Sequence, residues 1–123
     1  MNRKLILAAL VLASVPAGAA AMDVATFLAK ADALEKKGTL ALVSSDYKLL
    51  KGEIERASGA LRAERLAAKR ARRKPAYCPP AKSGLGSDEI LASFRTTPAA
   101  QRPRVQVKDA LRALLQRKYP CRG

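Results

Sequence analysis

The two cysteines, Cys78 and Cys121, are the residues whose chemistry the sequence defines most sharply. They allow a single intramolecular pairing, and a disulfide between them would close a loop of about 44 residues and stabilise the fold by roughly 4 kcal/mol. A metal site would normally need further cysteine or histidine ligands, and the chain has no histidine. We therefore expect a structural disulfide rather than a redox or metal site, and we expect no cofactor.

Catalytic groups are scarce in the rest of the chain. Without histidine there is no Ser-His or Cys-His pair to activate a nucleophile. The adjacent carboxylates Asp88 and Glu89 are explained by a place in the first turn of a helix, where they complement the helix dipole. The sequence 84–86, Gly-Leu-Gly, lacks the preceding strand and the Lys-Ser/Thr ending of a phosphate-binding loop. The sequence therefore predicts that the protein is not an enzyme.

A run of basic residues is the other candidate for function, in a chain with a net charge of +14. Its members follow one another at steps of 3, 4, 3 and 1, which predicts one shared helical face. That face comprises Arg62, Arg65, Lys69, Arg72 and Arg73. A solvated helix face is the plain interpretation; the alternatives are binding of phosphates, of anionic lipid or of an acidic protein surface. No nucleic-acid partner is expected, because no aromatic residues alternate with these arginines to stack on bases.

The first 21 residues have the pattern of a cleaved secretory signal peptide. Arg3 and Lys4 precede an apolar stretch over residues 5–15, and small residues allow cleavage after Ala19 or Ala21. We therefore expect an exported, periplasmic protein, in a compartment where disulfides persist.

Residues 22–123 then form one small domain of about 100 residues with a modest core. Apolar residues recur every three or four positions over residues 23–37 and predict a first helix, capped by Asp23 and stopped by Gly38. Residues 39–43 predict a single helical turn.

A second, longer helix is predicted from Ser44 or Ser45 to Arg73. Gly52 and Gly59 should weaken it by about 1 kcal/mol each relative to alanine, and they allow a bend or a close helix approach. Its predicted buried face consists of Tyr47, Leu50, Ile54, Ala57 and Leu61.

The prolines and glycines of residues 75–86 predict an extended connector. A third helix should follow with Ser87 as its N-cap, then a single turn over residues 98–102. The last helix should begin near Val107 and end at Pro120. Since no segment alternates with period 2, we predict an all-α, single-domain bundle of about four helices with one disulfide.

The chain from Tyr77 onward resembles the Tai/Rap-type immunity proteins, small exported helical proteins of Gram-negative bacteria. The matching features are an aromatic-Cys-Pro segment, a short helix, and a Tyr-Pro-Cys segment some forty residues later. They comprise Tyr77-Cys78-Pro79-Pro80, Ile90 and Leu91, Pro98 and Arg102, Tyr119-Pro120-Cys121, and Phe27-Leu28 in the first helix.

This resemblance implies an all-helical, periplasmic, disulfide-bridged protein that binds and blocks a cell-wall amidase toxin delivered by type VI secretion. It also implies homodimerisation, and it transfers only Cys78 and Cys121, as a structural pair. The expected partner is therefore a protein, and the expected mode of action is steric occlusion. The alternative is a cationic envelope-associated protein that docks on anionic lipid or lipopolysaccharide through the basic helix.

Overall fold

The protein begins with a helix whose start is fixed by its own side chains. A computed structural model describes residues 21–122, so the predicted signal peptide lies almost wholly outside the described residues. Helix α1 spans Val24–Glu35. The Asp23 carboxylate accepts a hydrogen bond of 2.8 Å from the backbone amide of Thr26 and one of 2.9 Å from its hydroxyl group, which confirms Asp23 as the N-cap. The helix ends slightly earlier than predicted.

The link from α1 to the second helix is a 3₁₀ helix, Gly38–Val43. Gly38 has φ of +58°, a left-handed conformation that glycine adopts without strain. The chain then enters helix α2, Ser45–Arg70, with the Ser44 hydroxyl accepting a hydrogen bond of 3.2 Å from the amide of Asp46. The serine cap is confirmed, and the short helical segment predicted at residues 39–43 is present but longer than the single turn expected.

Helix α2 buries three of the five predicted residues: Leu50, Ala57 and Leu61. Ile54 is half-buried, and Tyr47 is 38 % exposed, so its predicted burial is wrong. The sequence pattern also missed Glu53, which is buried and paired with Arg56.

The two glycines of α2 neither break it nor mark a close approach between helices. The helix is continuous through Gly52 and Gly59, and, apart from the neighbouring backbone of the helix itself, no atom lies within 4 Å of where a β-carbon would stand at either position. The helix ends at Arg70 instead of Arg73, because the chain turns left-handed at Arg72.

Residues 75–86 form no helix, as predicted for the connector, and the chain then enters helix α3, Ser87–Arg95. Gly86 occupies the N-cap position, so the predicted Ser87 cap is one residue late. The predicted single turn from Pro98 to Arg102 is present, since the amides of Gln101 and Arg102 donate to the carbonyl oxygen of Pro98 at 2.8 and 3.2 Å. A second 3₁₀ helix, Arg102–Arg104, follows it and was not predicted.

Helix α4, Val107–Lys118, is fastened to the start of α1 by backbone hydrogen bonds. The Val24 amide donates to the carbonyl oxygen of Val105 at 2.8 Å, and the Val107 amide donates to that of Met22 at 2.9 Å. An isolated β-bridge joins Asp23 to Gln106 between these bonds. Within residues 21–122 there is no strand, so the all-α, four-helix prediction is confirmed.

The core lies where the four helices meet. Phe94 of α3 is fully buried and meets Phe27 of α1 edge-to-face, with ring centroids 5.3 Å apart and planes at 72°. Leu61 of α2 and Leu111 of α4 are buried in the same core. None of the helices among the described residues has the length and apolarity needed to span a membrane.

Candidate binding surfaces

The predicted disulfide is present between Cys78 and Cys121, with their Cα atoms 4.9 Å apart. It joins the connector to the segment just after α4. Lys118 reinforces the same junction, because its ammonium group donates to the carbonyl oxygen of Gly84 at 2.9 Å and to the Glu89 carboxylate at 2.8 Å. Both sulfurs are used in the bridge, so neither cysteine offers a thiol for catalysis or metal binding.

The five residues of the predicted basic face lie in three different environments. Arg62 and Lys69 are exposed along α2. Arg65 is half-buried, with its guanidinium carbon 5.8 Å from the centroid of the Tyr77 ring. Arg72 and Arg73 lie beyond the end of the helix, so the prediction that all five share one helical face is wrong.

The turn after α2 places Arg73 against the helix. Arg72 has φ of +56°; its amide donates to the carbonyl oxygen of Lys69 at 3.1 Å, and the Arg73 amide donates to that of Ala68 at 2.8 Å. These are the two hydrogen bonds of a Schellman motif, which folds the chain back over the last helical turn. Sequence periodicity could not show this, because arginine stands where glycine is usual.

Charge is segregated along the molecule. All the acidic side chains of the chain lie in the described part, and all except Asp23 and Asp88 form ion pairs there. We call the basic residues at the end of α2 and just after it the basic segment: Arg62, Arg65, Lys69, Arg70, Arg72, Arg73 and Lys74. None of those ion pairs involves a residue of the basic segment.

A cavity of about 340 Å³ lies beside the second half of α2. Three arginines from separate parts of the chain line it: Arg65 of α2, Arg73 of the turn and Arg112 of α4. The other lining residues are Leu61, Glu64, Ala67, Ala68, Ala76 and Tyr77. We call this the arginine cavity; the sequence did not predict it, because Arg112 and Tyr77 meet α2 only through the fold.

Glu64 is the carboxylate of the arginine cavity, and it is held by α4. It lies 2.6 Å from the Lys108 ammonium group and 3.0 Å from a nitrogen of Arg112. Hydrogen bonds from Lys108 and then Arg112 lower the pKa of Glu64, and the carboxylate in turn raises the pKa of Arg112. Glu64 therefore stays ionised, with its charge balanced by α4 rather than by Arg65 or Arg73.

An open apolar groove of about 510 Å³ runs beside the first half of α2. Its floor is formed by Phe27 and Leu34 of α1, Leu50 and Ile54 of α2, and Ile90 of α3. It shares no lining residue with the arginine cavity.

Next to this groove, the first 3₁₀ helix exposes large apolar side chains. Leu40, Leu42 and Val43 are 70 %, 63 % and 78 % exposed, and Leu42 and Tyr47 line the groove. We call Leu40, Leu42, Val43 and Tyr47 the apolar patch. The sequence signal was the short apolar stretch at residues 39–43, which predicted a turn but not its exposure.

The adjacent carboxylates Asp88 and Glu89 lie in the first turn of α3, as predicted. Asp88 is exposed, and the neighbouring Glu89 is paired with Lys118, which lowers the pKa of Glu89 through a hydrogen bond. Among residues 21–122 no group of three or more acidic, cysteine or histidine residues could hold a metal ion.

Protein-family models, curated proteins and solved structures gave no match to this chain.

Proposed function

We propose that this protein is an exported interaction protein that binds a protein partner through the apolar patch and blocks it by steric occlusion. The observation that carries the proposal is the exposure of Leu40, Leu42 and Val43 beside an open apolar groove. Large apolar side chains grouped on the surface of a small soluble domain mark interaction sites, because a partner that covers them removes apolar area from water.

The partner we propose is a cell-wall amidase toxin, as in the immunity proteins that the chain resembles. Binding without catalysis is supported by the absence of histidine from the sequence and by the engagement of most carboxylates in ion pairs. The periplasm is the proposed location, supported by the signal-like first 21 residues and by the disulfide between Cys78 and Cys121.

The direct test measures inhibition of a cell-wall amidase encoded next to this chain. Peptidoglycan hydrolysis by the amidase is followed with increasing amounts of the wild-type protein and of two variants. Leu42→Asp places a charge in the apolar patch and should weaken inhibition at least about tenfold, since an unpaired charge would be buried on binding. Leu66→Asp is the matched control, because Leu66 is 40 % exposed but lines neither cavity.

Equal inhibition by the wild type and Leu42→Asp, or no inhibition at all, would contradict this function. A second copy of the chain is the other candidate occupant of the apolar patch. In that case light scattering would show a dimer that Leu42→Asp dissociates and Leu66→Asp does not. A deletion strain that stays insensitive to toxins from sister cells would also count against an immunity role.

A second candidate function is docking on an anionic envelope surface, favoured by the basic segment and its lack of acidic partners among the described residues. Exposed charges attract anionic headgroups, and salt screens that attraction within about 10 Å at 0.1 M. Binding to phosphatidylglycerol vesicles should therefore weaken steeply between low and high salt. Vesicle binding that ignores salt would rule it out.

A further inference from the structure

The arginine cavity brings together groups that the chain could not place by local structure alone. Arg65 comes from α2, Arg73 from the turn after it and Arg112 from α4, and all three line one space of about 340 Å³. That volume suits a small ligand or a headgroup. The rest of the lining is mostly alanine side chains and the buried Tyr77, so the charged groups provide most of the polar contacts available to a bound molecule.

The charges that line the cavity do not balance. Three guanidinium groups and one carboxylate, Glu64, line it. Arg112 is paired with both Glu64 and Asp109, and Glu64 is shared with Lys108. Arg65 and Arg73 form no ion pair with any acidic side chain of the chain. The lining therefore carries an excess of two positive charges.

Arg65 is fixed in the wall of the cavity with an unfilled bonding requirement. Its guanidinium group lies over the Tyr77 ring, and its Nε atom is buried without a hydrogen-bond partner among the described residues. A buried donor without an acceptor is unusual in folded proteins, and the cost is larger for a charged group. An anion that entered the cavity would be drawn to this guanidinium group.

Arg73 is held at the cavity by a strained turn. The left-handed conformation of Arg72 costs about 1–2 kcal/mol for a residue with a β-carbon, and it is what returns Arg73 to the side of Ala68. The turn is a Schellman motif, a common C-terminal cap of helices, so its part in the site is to place Arg73 at the cavity.

We propose that the arginine cavity binds a phosphate monoester group, from either a soluble organic phosphate or a lipid headgroup. A phosphate monoester carries close to two negative charges near pH 7, which matches the excess charge, whereas a carboxylate or a phosphodiester carries one. Arg65 and Arg73 each present parallel N–H donors that suit the oxygens of a phosphate. This site involves neither the apolar patch nor its partner.

The test measures binding of glycerol 3-phosphate to the disulfide-bonded protein by calorimetry at physiological salt, with acetate as the single-charge comparison. Arg73→Ala should weaken binding at least about tenfold, as expected for loss of a charge-assisted bidentate contact. Arg65→Lys keeps the positive charge but loses the parallel N–H donors of the guanidinium group, and it should weaken binding by about threefold or more. Arg62→Ala is the matched control, since Arg62 is an exposed arginine of the same helix outside the cavity, and it should change binding less than about twofold.

Vesicles distinguish the two sources of the phosphate group. Phosphatidic acid presents a phosphate monoester and phosphatidylglycerol a diester, compared at equal surface charge. A lipid headgroup is identified if the wild type prefers phosphatidic acid vesicles, if Arg73→Ala abolishes that preference, and if glycerol 3-phosphate binds more weakly than the vesicles. A soluble ligand is identified if glycerol 3-phosphate binds strongly and the wild type shows no preference between the vesicles.

Three results would overturn the site: no binding to either form of the monoester, acetate bound as tightly as glycerol 3-phosphate, or equal losses in Arg62→Ala and Arg73→Ala. If Arg62→Ala and Arg73→Ala weaken vesicle binding equally, the proposed phosphate site in the cavity is wrong, whereas docking through the whole basic segment is still supported. Circular dichroism of each variant checks that the helices are retained.

Discussion

The backbone amide of Cys78 donates a hydrogen bond of 2.8 Å to the carbonyl oxygen of Tyr119, two residues before Cys121. The covalent bridge and this hydrogen bond therefore act on the same junction between the connector and the end of α4. The phenol group of Tyr119 lies 3.3 Å from the carbonyl oxygen of Gly84, so the connector is held at a second point along its length.

Loss of the disulfide should destabilise the whole domain. Closure of this loop contributes about 4 kcal/mol on the chain-entropy model, so the double variant Cys78→Ser/Cys121→Ser should melt more than about 10 °C below the wild type. Hydrogen exchange should rise first around Tyr119. Reductant should lower the melting temperature of the wild type and leave the double variant unchanged; a wild type that is indifferent to reductant would refute the prediction.

Arg72→Gly should stabilise the protein. Glycine adopts the left-handed conformation of this position without strain, so we expect a gain of about 1 kcal/mol in the free energy of unfolding. Arg72→Ala removes the same charge but keeps a β-carbon, and it should lie near the wild type. Urea denaturation measures both, and equal stabilities for the two variants would show that the turn is unstrained.

Gly59→Ala should also stabilise the protein, for a different reason. Gly59 lies in the interior of α2 with open space around its missing β-carbon, so alanine gains helix propensity of about 1 kcal/mol without a clash. Gly52→Ala should behave alike. Gly38→Ala is the contrasting variant: φ is positive there, and the same change should destabilise. Thermal melts of the three variants test the difference in sign.

Phe94→Ala should cost about 3–5 kcal/mol, because the side chain is fully buried and the cavity left behind removes its contact with Phe27. A loss of this size would leave little stability in a domain this small. Phe94→Leu keeps most of the volume and should cost clearly less. Chemical denaturation measures both losses, and a loss below about 1 kcal/mol for Phe94→Ala would mean that Phe94 contributes little to the core.

Glu64 should make stability depend on pH in acid. Hydrogen bonds from Lys108 and Arg112 lower its pKa in the folded state, so its contribution is present above the unfolded pKa of about 4.3 and is lost as pH falls through the folded value. Glu64→Gln should cost about 0.5–1 kcal/mol at pH 7, allowing for solvent screening, and nothing near pH 2.

Glu55→Gln is the control for that experiment, because Glu55 is exposed and its pair with Lys51 is long, at 3.8 Å. It should change stability at pH 7 by less than about 0.3 kcal/mol. A Glu64→Gln cost that persists unchanged in acid would contradict the assignment of this pH dependence to Glu64.

At alkaline pH the dependence of stability on pH has the opposite sign. Glu89 raises the pKa of Lys118, so the stabilisation by this pair is present below the unfolded pKa of Lys118 and is lost as pH rises through its folded pKa.

The sequence predicted those parts of the fold that depend on neighbours along the chain. The caps at Asp23 and Ser44 follow from local chemistry, and both are confirmed. The disulfide is confirmed as well, because two cysteines allow only one pairing. Helical periodicity likewise identified most of the buried face of α2.

The rest depended on contacts between distant segments. Tyr47 continues the apolar stripe of α2 but stands at an open groove where no helix covers it. Arg72 and Arg73 continue the basic spacing, yet the helix ends before them in a left-handed turn that the residue types do not favour. The arginine cavity needed Arg112, which is distant in sequence and reaches α2 through the pair with Glu64.

The bridge between Cys78 and Cys121 makes one covalent ring of the chain between them. Helices α3 and α4 lie within that ring. Helices α1 and α2 lie outside it, and their only covalent connection to it is the backbone that precedes Cys78. A protease that cuts at the exposed Lys82 would leave both products attached through sulfur. A cut between α1 and α2 would instead release α1 as soon as its packing fails. Nicking and fragmentation are thus separate events in this molecule, decided by the side of Cys78 on which the cleavage falls.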